Sequence, residues 1–148
     1  MPISTGHSSL YVTQQAIALA LTSATAFTSI CAGPFDFALP NPAYQINQIM
    51  PYAAFGDHVE SNWYQFQKPS KQIDFSIHVF SQKATYQEAM NIIDVICSII
   101  ESQTLSLTGG NFTNAQNGVM FLTATKVPEA DGTTRHIEAR WHIWNNAN

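Results

Sequence analysis

Residues 72–102 constrain the fold more than any other stretch, because they join two unlike periodicities across one short turn. In Ile73-Asp74-Phe75-Ser76-Ile77-His78-Val79 the apolar side chains occupy odd positions and the polar ones even positions. A period of two is that of a strand with one buried face. Phe80 breaks the alternation, so that end of the strand is expected to be covered on both sides. Thr85-Tyr86-Gln87-Glu88 then has the spacing of a capping box. In such a box the Thr85 hydroxyl accepts from the Glu88 N–H, and the Glu88 carboxylate accepts from the Thr85 N–H. Ala89, Ile92, Ile93, Ile96, Cys97 and Ile100 follow at i, i+3, i+4, i+7, i+8 and i+11, the stripe of a long amphipathic helix. Met90, Val95 and Ile99 fall off the stripe, so part of a second face should also be covered. This helix is expected to form the core.

The other segments arrange themselves around this unit. Residues 1–8 are polar and expected to be mobile. Ser8 or Ser9 can cap a first helix over 10–21, with Val12, Ala16, Leu19 and Ala20 at helical spacing. Thr22 and Ser23 suggest a break that caps a short second helix through Ile30, with Ala24 and Phe27 inward, ended by Gly33-Pro34. Residues 35–39 and, more strongly, 51–58 read as strands, and 62–70 as an exposed aromatic and polar loop. Leu105-Ser106-Leu107 alternates briefly, and Gly109-Gly110 turns the chain. Residues 119–127 and 135–144 read as two strands joined by the Pro128-Glu129-Ala130-Asp131-Gly132 turn. On the second, Ile137, Ala139, Trp141 and Ile143 share one face; His136, Glu138, Arg140 and His142 share the other. The expected fold is α+β in a single domain, 1–148: a mostly antiparallel sheet with the long amphipathic helix and the N-terminal helices packed on one face.

Charge narrows the possible partners. Only 11% of residues are charged, against about 25% in ordinary soluble domains. Asn, Gln, Ser and Thr must therefore build the polar surface. Such a surface loses little on burial and suits a subunit of an assembly; a compositional habit of the source would produce it too. The net charge is −4 and no run of Lys or Arg occurs, which argues against phosphate-backbone recognition. The apolar stretch 16–21 is far shorter than the ~20 residues that span a bilayer, and no basic, apolar leader opens the sequence. A soluble protein without membrane attachment is expected.

No catalytic, cofactor or metal site stands out, and none is expected. His136 and His142 share a face but lie roughly 20 Å apart at ~3.3 Å per residue. In Asp57-His58-Val59-Glu60 only His58 and Glu60 share a face, one ligand short of the three that catalytic zinc keeps. Cys97, on an isoleucine-rich stripe, reads as an inert core thiol rather than a nucleophile. Cys31 precedes a Gly-Pro turn, and a bridge between the two stays open. Two cysteines are no disulfide scaffold, which favours a reducing compartment. His78 and Asp74 could polarise a substrate or simply hydrogen-bond across strands. Trp63, Tyr64 and Phe66 either pack back on the sheet or serve as exposed interface aromatics.

Taken in order, Pro51-Tyr52-Ala53-Ala54-Phe55-Gly56-Asp57-His58, Ile77-His78-Val79-Phe80-Ser81, Glu88-Ala89, Leu105-Ser106-Leu107 and Asp131-Gly132-Thr133-Thr134-Arg135-His136 resemble small tail-completion, or tail-terminator, proteins of long-tailed phages and gene transfer agents. The resemblance spans 10–144. The chain departs from the pattern at Phe80, where members often carry Trp, and in a longer segment at 40–50. The resemblance implies a structural subunit of the virion tail, assembled in the host cytoplasm, that forms a homo-oligomeric ring of six at the head-proximal end of the tube. There it would stop tube growth and meet the tail tube protein and the head-completion or connector proteins. No catalysis and no cofactor are implied, and DNA would only pass through the lumen, past an acidic ring. Closed cyclic symmetry needs two different complementary surfaces per subunit. Trp63, Tyr64 and Phe66 on one loop, and Glu129, Asp131 and Arg135 on the 128–134 hairpin and its flank, are the interface candidates. Two other readings stay open: a head-side connector, and a small ligand-binding or enzymatic domain built on His58, His78 and Asp74.

Overall fold

In the computed structural model the alternation at 73–79 becomes the middle of a strand, Lys68–Ser81, at the centre of a five-stranded sheet. The structure describes residues 7–36, 50–65, 68–101 and 104–148, with only the backbone for 64, 65, 68 and 69. In chain order the elements are α1 (Leu10–Thr22), α2 (Thr25–Thr28), β1 (Ala32–Phe35), β2 (Tyr52–Gln65), β3 (Lys68–Ser81), α3 (Gln87–Ile100), β4 (Phe112–Val127) and β5 (Arg135–Ala147). Sheet order is β1-β2-β3-β5-β4. β1 runs parallel to β2 and every other pair is antiparallel, so the sheet is mixed and the fold α+β.

Register explains how one strand serves two faces. Ile73, Phe75, Ile77 and Val79 of β3 lie opposite Ile143, Trp141, Ala139 and Ile137 of β5. These residues form one core with Ala16, Ile17 and Leu21 of α1, Phe27 of α2, and Ala89, Ile92, Ile93, Ile96 and Ile100 of α3. Phe80 turns the other way and joins Tyr52 and Ala54 in a second cluster, which covers both faces at that end of β3.

Several boundaries differ from the sequence expectation. The capping box does not form: Tyr86 is the N-cap, the Thr85 hydroxyl accepts from the Gln87 N–H at 3.4 Å, and the Glu88 carboxylate accepts from the Ser81 hydroxyl at 2.7 Å. Glu88 thus ties the helix start to the strand end. Ser9 is the N-cap of α1, but its N–H and hydroxyl both donate to Glu60, at 2.7 and 2.6 Å. The second helix is a single turn after Ala24 and does not reach Ile30. Just beyond it the Ala32 N–H bonds Pro51 O at 3.0 Å, drawing the chain into the sheet. Gly33-Pro34 therefore lies in β1 rather than ending a helix. Gly33 holds φ +99°, and a Cβ there would sit 2.5 Å from Ala53 O, so glycine is required. Residues 37–39 of the expected strand lie outside the described residues.

The largest difference is at 62–70, expected as a loop. β2 and β3 continue pairing through it, Trp63 with Ser70 and Gln65 with Lys68, into a long hairpin. Alternation there is carried by β-favouring aromatics among polar residues, a pattern that looks like a loop until a partner strand is known. β4 likewise begins at Phe112 instead of Val119, with an irregularity between Asn114 and Val119 around Asn117 at φ 55°. The edges are unequal: β1 pairs with β2 only from Tyr52 to Ala54, whereas β4 spans 16 residues. Among the described residues, β2 beyond that point and β4 along its length form the two open edges.

Ile96, fully buried, is expected to cost about 2–5 kcal/mol on truncation to Ala. Met90→Ala on the same helix, 43% exposed, should stay within about 0.5 kcal/mol. Urea denaturation of both variants checks the direction in which α3 faces.

Candidate functional site

The face of the sheet opposite the helices carries a cluster of titratable groups, and three strands build it. On β3 it presents Asp74, Ser76 and His78; their β5 partners are His142, Arg140 and Glu138. On β2 the register shifts between Phe55 and His58, and this irregularity swings Asp57 over Ser76. The Ser76 hydroxyl bonds Asp57 at its carbonyl, 2.8 Å, and its carboxylate, 3.1 Å. Gly56 is required here, because a Cβ would collide with the His78 imidazole and the Ser76 hydroxyl.

Arg140 is the centre of the arrangement. Its Nε donates to Glu138 at 2.8 Å, Nη1 to Asp74 at 3.1 Å, and Nη2 to both Asp57 oxygens at 3.0 and 3.1 Å. One planar fork serves three carboxylates from three strands, a geometry that an ammonium could not copy. The hydrogen bond from Arg140 holds the Asp57 carboxyl below its ordinary range; the same contact, first among several, raises Arg140.

Beside it runs a histidine relay. His136 Nδ1 lies 2.6 Å from Glu129 Oε1, and His136 Nε2 lies 2.6 Å from His78 Nδ1. The tautomers of the two rings set which nitrogen donates in each contact, and His78 Nε2 lies 3.6 Å from Glu138 Oε2. Burial first, then the neighbouring His136, pushes His78 below its ordinary value. Phe80 stacks on His136 at 4.3 Å and on Tyr52 at 4.8 Å, and Phe35 meets Tyr52 edge-on at 5.9 Å. Tyr52, Phe80 and His136 line a cavity of about 480 Å³ together with Glu129 and Asp131.

Asp57, His78 and Glu138 offer donor atoms within 4.8 Å of one another, a set that could hold a metal ion. Linear spacing hid it, because each residue comes from a different strand. The guanidinium of Arg140 already bonds both carboxylates, so an ion would have to share them with a cation in place. The His58 and Glu60 pair does not converge on anything: Glu60 binds Ser9, and His58 faces the helices, 3.2 Å from Gln14 and stacked on Phe75 at 3.9 Å. His58 is therefore on the opposite side of the sheet from His78 and Asp74, which removes the geometric basis of a shared pocket. Both cysteines are free. Burial pushes the Cys31 thiol to about 12 and the Cys97 thiol to about 11, so neither is a thiolate at neutral pH.

The interface candidates separate into two groups. Trp63, 42% exposed, lies on β2 opposite Ser70, and Tyr64 follows it in the strand; Phe66 is outside the described residues. Glu129 is held by His136, while Asp131 accepts from the Thr133 and Thr134 amides and the Thr134 hydroxyl. Arg135 donates to Gly132 O at 3.3 Å and sits over the Tyr86 ring. Ser70 and Ser81, which mark the two groups on β3, are roughly 36 Å apart at ~3.3 Å per residue. The structure puts the groups at opposite ends of the sheet.

This fold is one that virion subunits use. A chain of the virion of a native gene transfer agent (GTA) particle superposes with a TM-score of 0.74 at 16% identity, covering 96% of this chain and 99% of that one. The bacteriophage SPP1 gp17 protein superposes with a TM-score of 0.56 at 18% identity, covering 97% and 95%. The sequence itself matches the family described as Tail completion protein gp17 over residues 15–145, and the chain belongs to that family. It is thus a tail completion protein. No curated protein sequence matches it. Among the described residues no helix is long and apolar enough to cross a membrane.

Arg140→Met is expected to destabilise the fold by about 1–2 kcal/mol, after allowing for screening at the exposed Asp57 and Asp74. Arg140→Lys should recover only part of the loss, as read from urea midpoints. Burial depresses both His58 and His78. The unfolded chain then binds more protons than the folded one below the ordinary histidine value, so stability should fall as pH drops below about 6.5. Asp57, also depressed, adds stability present above its ordinary value and lost as pH falls through its folded one. Denaturation midpoints at pH 7.5 and 5.5 should differ in that direction, and His78→Gln should shrink the difference.

Proposed function

We propose that this chain caps the head-proximal end of the tail tube as a ring of six, ends tube growth and joins the tail to the head-completion proteins. The observation that carries this reading is the family match across 15–145, together with a fold shared over nearly the whole chain with a gene-transfer-agent virion protein. The whole chain acts as one domain, without catalysis or cofactor. Its low charge fits a subunit whose surface is largely covered, and the absence of any cationic run fits DNA passing through the lumen without being held. Trp63 and Tyr64 on β2, with Phe66 outside the described residues, and Glu129, Asp131 and Arg135 beside the β4–β5 turn, are the contact residues of the proposal. Their separation to opposite ends of the sheet supports two distinct surfaces, one toward the tube or a neighbour and one toward the head.

Electron microscopy of tail tube protein polymerised with and without this chain tests the proposal. Tubes that stop at a shorter length and carry a ring at one end are the expected result. Tubes of identical length with no bound chain would overturn it in favour of a head-side connector.

A further inference from the structure

Where β2, β3 and β5 meet on the polar face, three carboxylates converge on one guanidinium and leave two formal negative charges uncompensated. Arg140 does not use up the donors around it. Its Nε binds Glu138 Oε1, while the second oxygen, Oε2, faces His78 Nε2 at 3.6 Å. That separation is too long for a hydrogen bond. Bonds of about 2.1 Å at a tetrahedral angle, however, put two ligands of one ion about 3.4 Å apart. Asp57 completes the set, in which one donor atom from each residue lies within 4.8 Å of the others. Its side chain is 61% exposed on the bulge, and Arg140 keeps Asp74 and Glu138 when Asp57 turns inward.

Two features single out His78 as a ligand. Gly56 keeps Nε2 bare, since a Cβ at that position would collide with it. The ring is also braced from behind: Nδ1 contacts His136 Nε2 at 2.6 Å, and His136 Nδ1 contacts Glu129 Oε1 at 2.6 Å. A ligating imidazole almost always has its other nitrogen held in this way, which fixes the orientation of the ring.

We propose that Asp57, His78 and Glu138 bind one divalent first-row transition ion of the zinc type, which ties β2, β3 and β5 together across the bulge. A divalent ion neutralises the two residual charges. One imidazole with two carboxylates selects such an ion over Mg²⁺ and Ca²⁺, which take oxygen donors. With the ion on Nε2, the His78 proton sits on Nδ1 and donates to His136. Arg140 orients Glu138 from outside, and water completes the coordination on the exposed side. The ion holds strands together and serves no reaction. The site lies within a single subunit and does not depend on the ring.

Chelator-treated wild-type chain is titrated with Zn²⁺ by calorimetry, beside Asp57→Asn, His78→Gln, Glu138→Gln and, as a control on the same face, His142→Gln. One ion per chain is expected, with affinity lower by at least about tenfold in each of the three ligand variants and unchanged in the control. Zn²⁺ at about a hundredfold excess over its Kd should raise the thermal midpoint of the wild type by roughly 5 °C or more, and Mg²⁺ at the same concentration should not. Co²⁺ gives a reading that needs no variant to fold: the NMR signals it broadens most should be those of Asp57, His78 and Glu138. No binding, equal binding by all four variants, an equal response to Mg²⁺, or broadening centred on another histidine would overturn the assignment.

Discussion

The strict alternation of β3 is the constraint from which the rest follows. Paired on both sides, this strand gives Ile73, Phe75, Ile77 and Val79 to the helices and Asp74, Ser76 and His78 to the opposite face. A one-residue slip against β5 would send every one of these side chains to the wrong side, placing carboxylates among isoleucines. The polar face is therefore specified by the same pattern that builds the core. The two cannot vary independently.

The charge economy of the molecule is concentrated on that polar face. A chain with six lysines and arginines places one of them where three carboxylates from three strands converge. Arg140 thereby holds together β2, β3 and β5 at a point where the backbone ladder of β2 is interrupted. The bulge at Gly56-Asp57 weakens the ladder, and the side-chain network spans the gap. Stability at this place is electrostatic and local, in contrast to the diffuse apolar burial on the other face.

Periodic segments were legible from the sequence and convergent ones were not. The α3 stripe, the β3 alternation and the two-sided pattern of β5 are local properties, and each lies where its spacing puts it. The 62–70 hairpin was misread because its pairing is its only strong signal, and pairing is not visible in one strand. The capping box failed for a related reason: Ser81, seven residues from Glu88, offers a hydrogen bond that spacing within the helix cannot reveal. The Asp57–His78–Glu138 set and the His78–His136 contact span up to 81 positions of sequence, and only the sheet register brings them together. A family resemblance carried by short ordered motifs reached the right family, while Arg140, Asp74 and Glu138 at the centre of the polar face lie outside every one of those motifs.

The unequal edges of the sheet have a consequence for how copies of the chain meet. A two-fold dimer formed edge to edge needs the same strand twice. β1 offers only 4 residues and β4 carries register shifts at two places, so among the described residues those two edges are poor mates for themselves. The stretch of β2 beyond Ala54 keeps a regular register from His58 to Gln65 and is the edge on which a second strand would find the longest template.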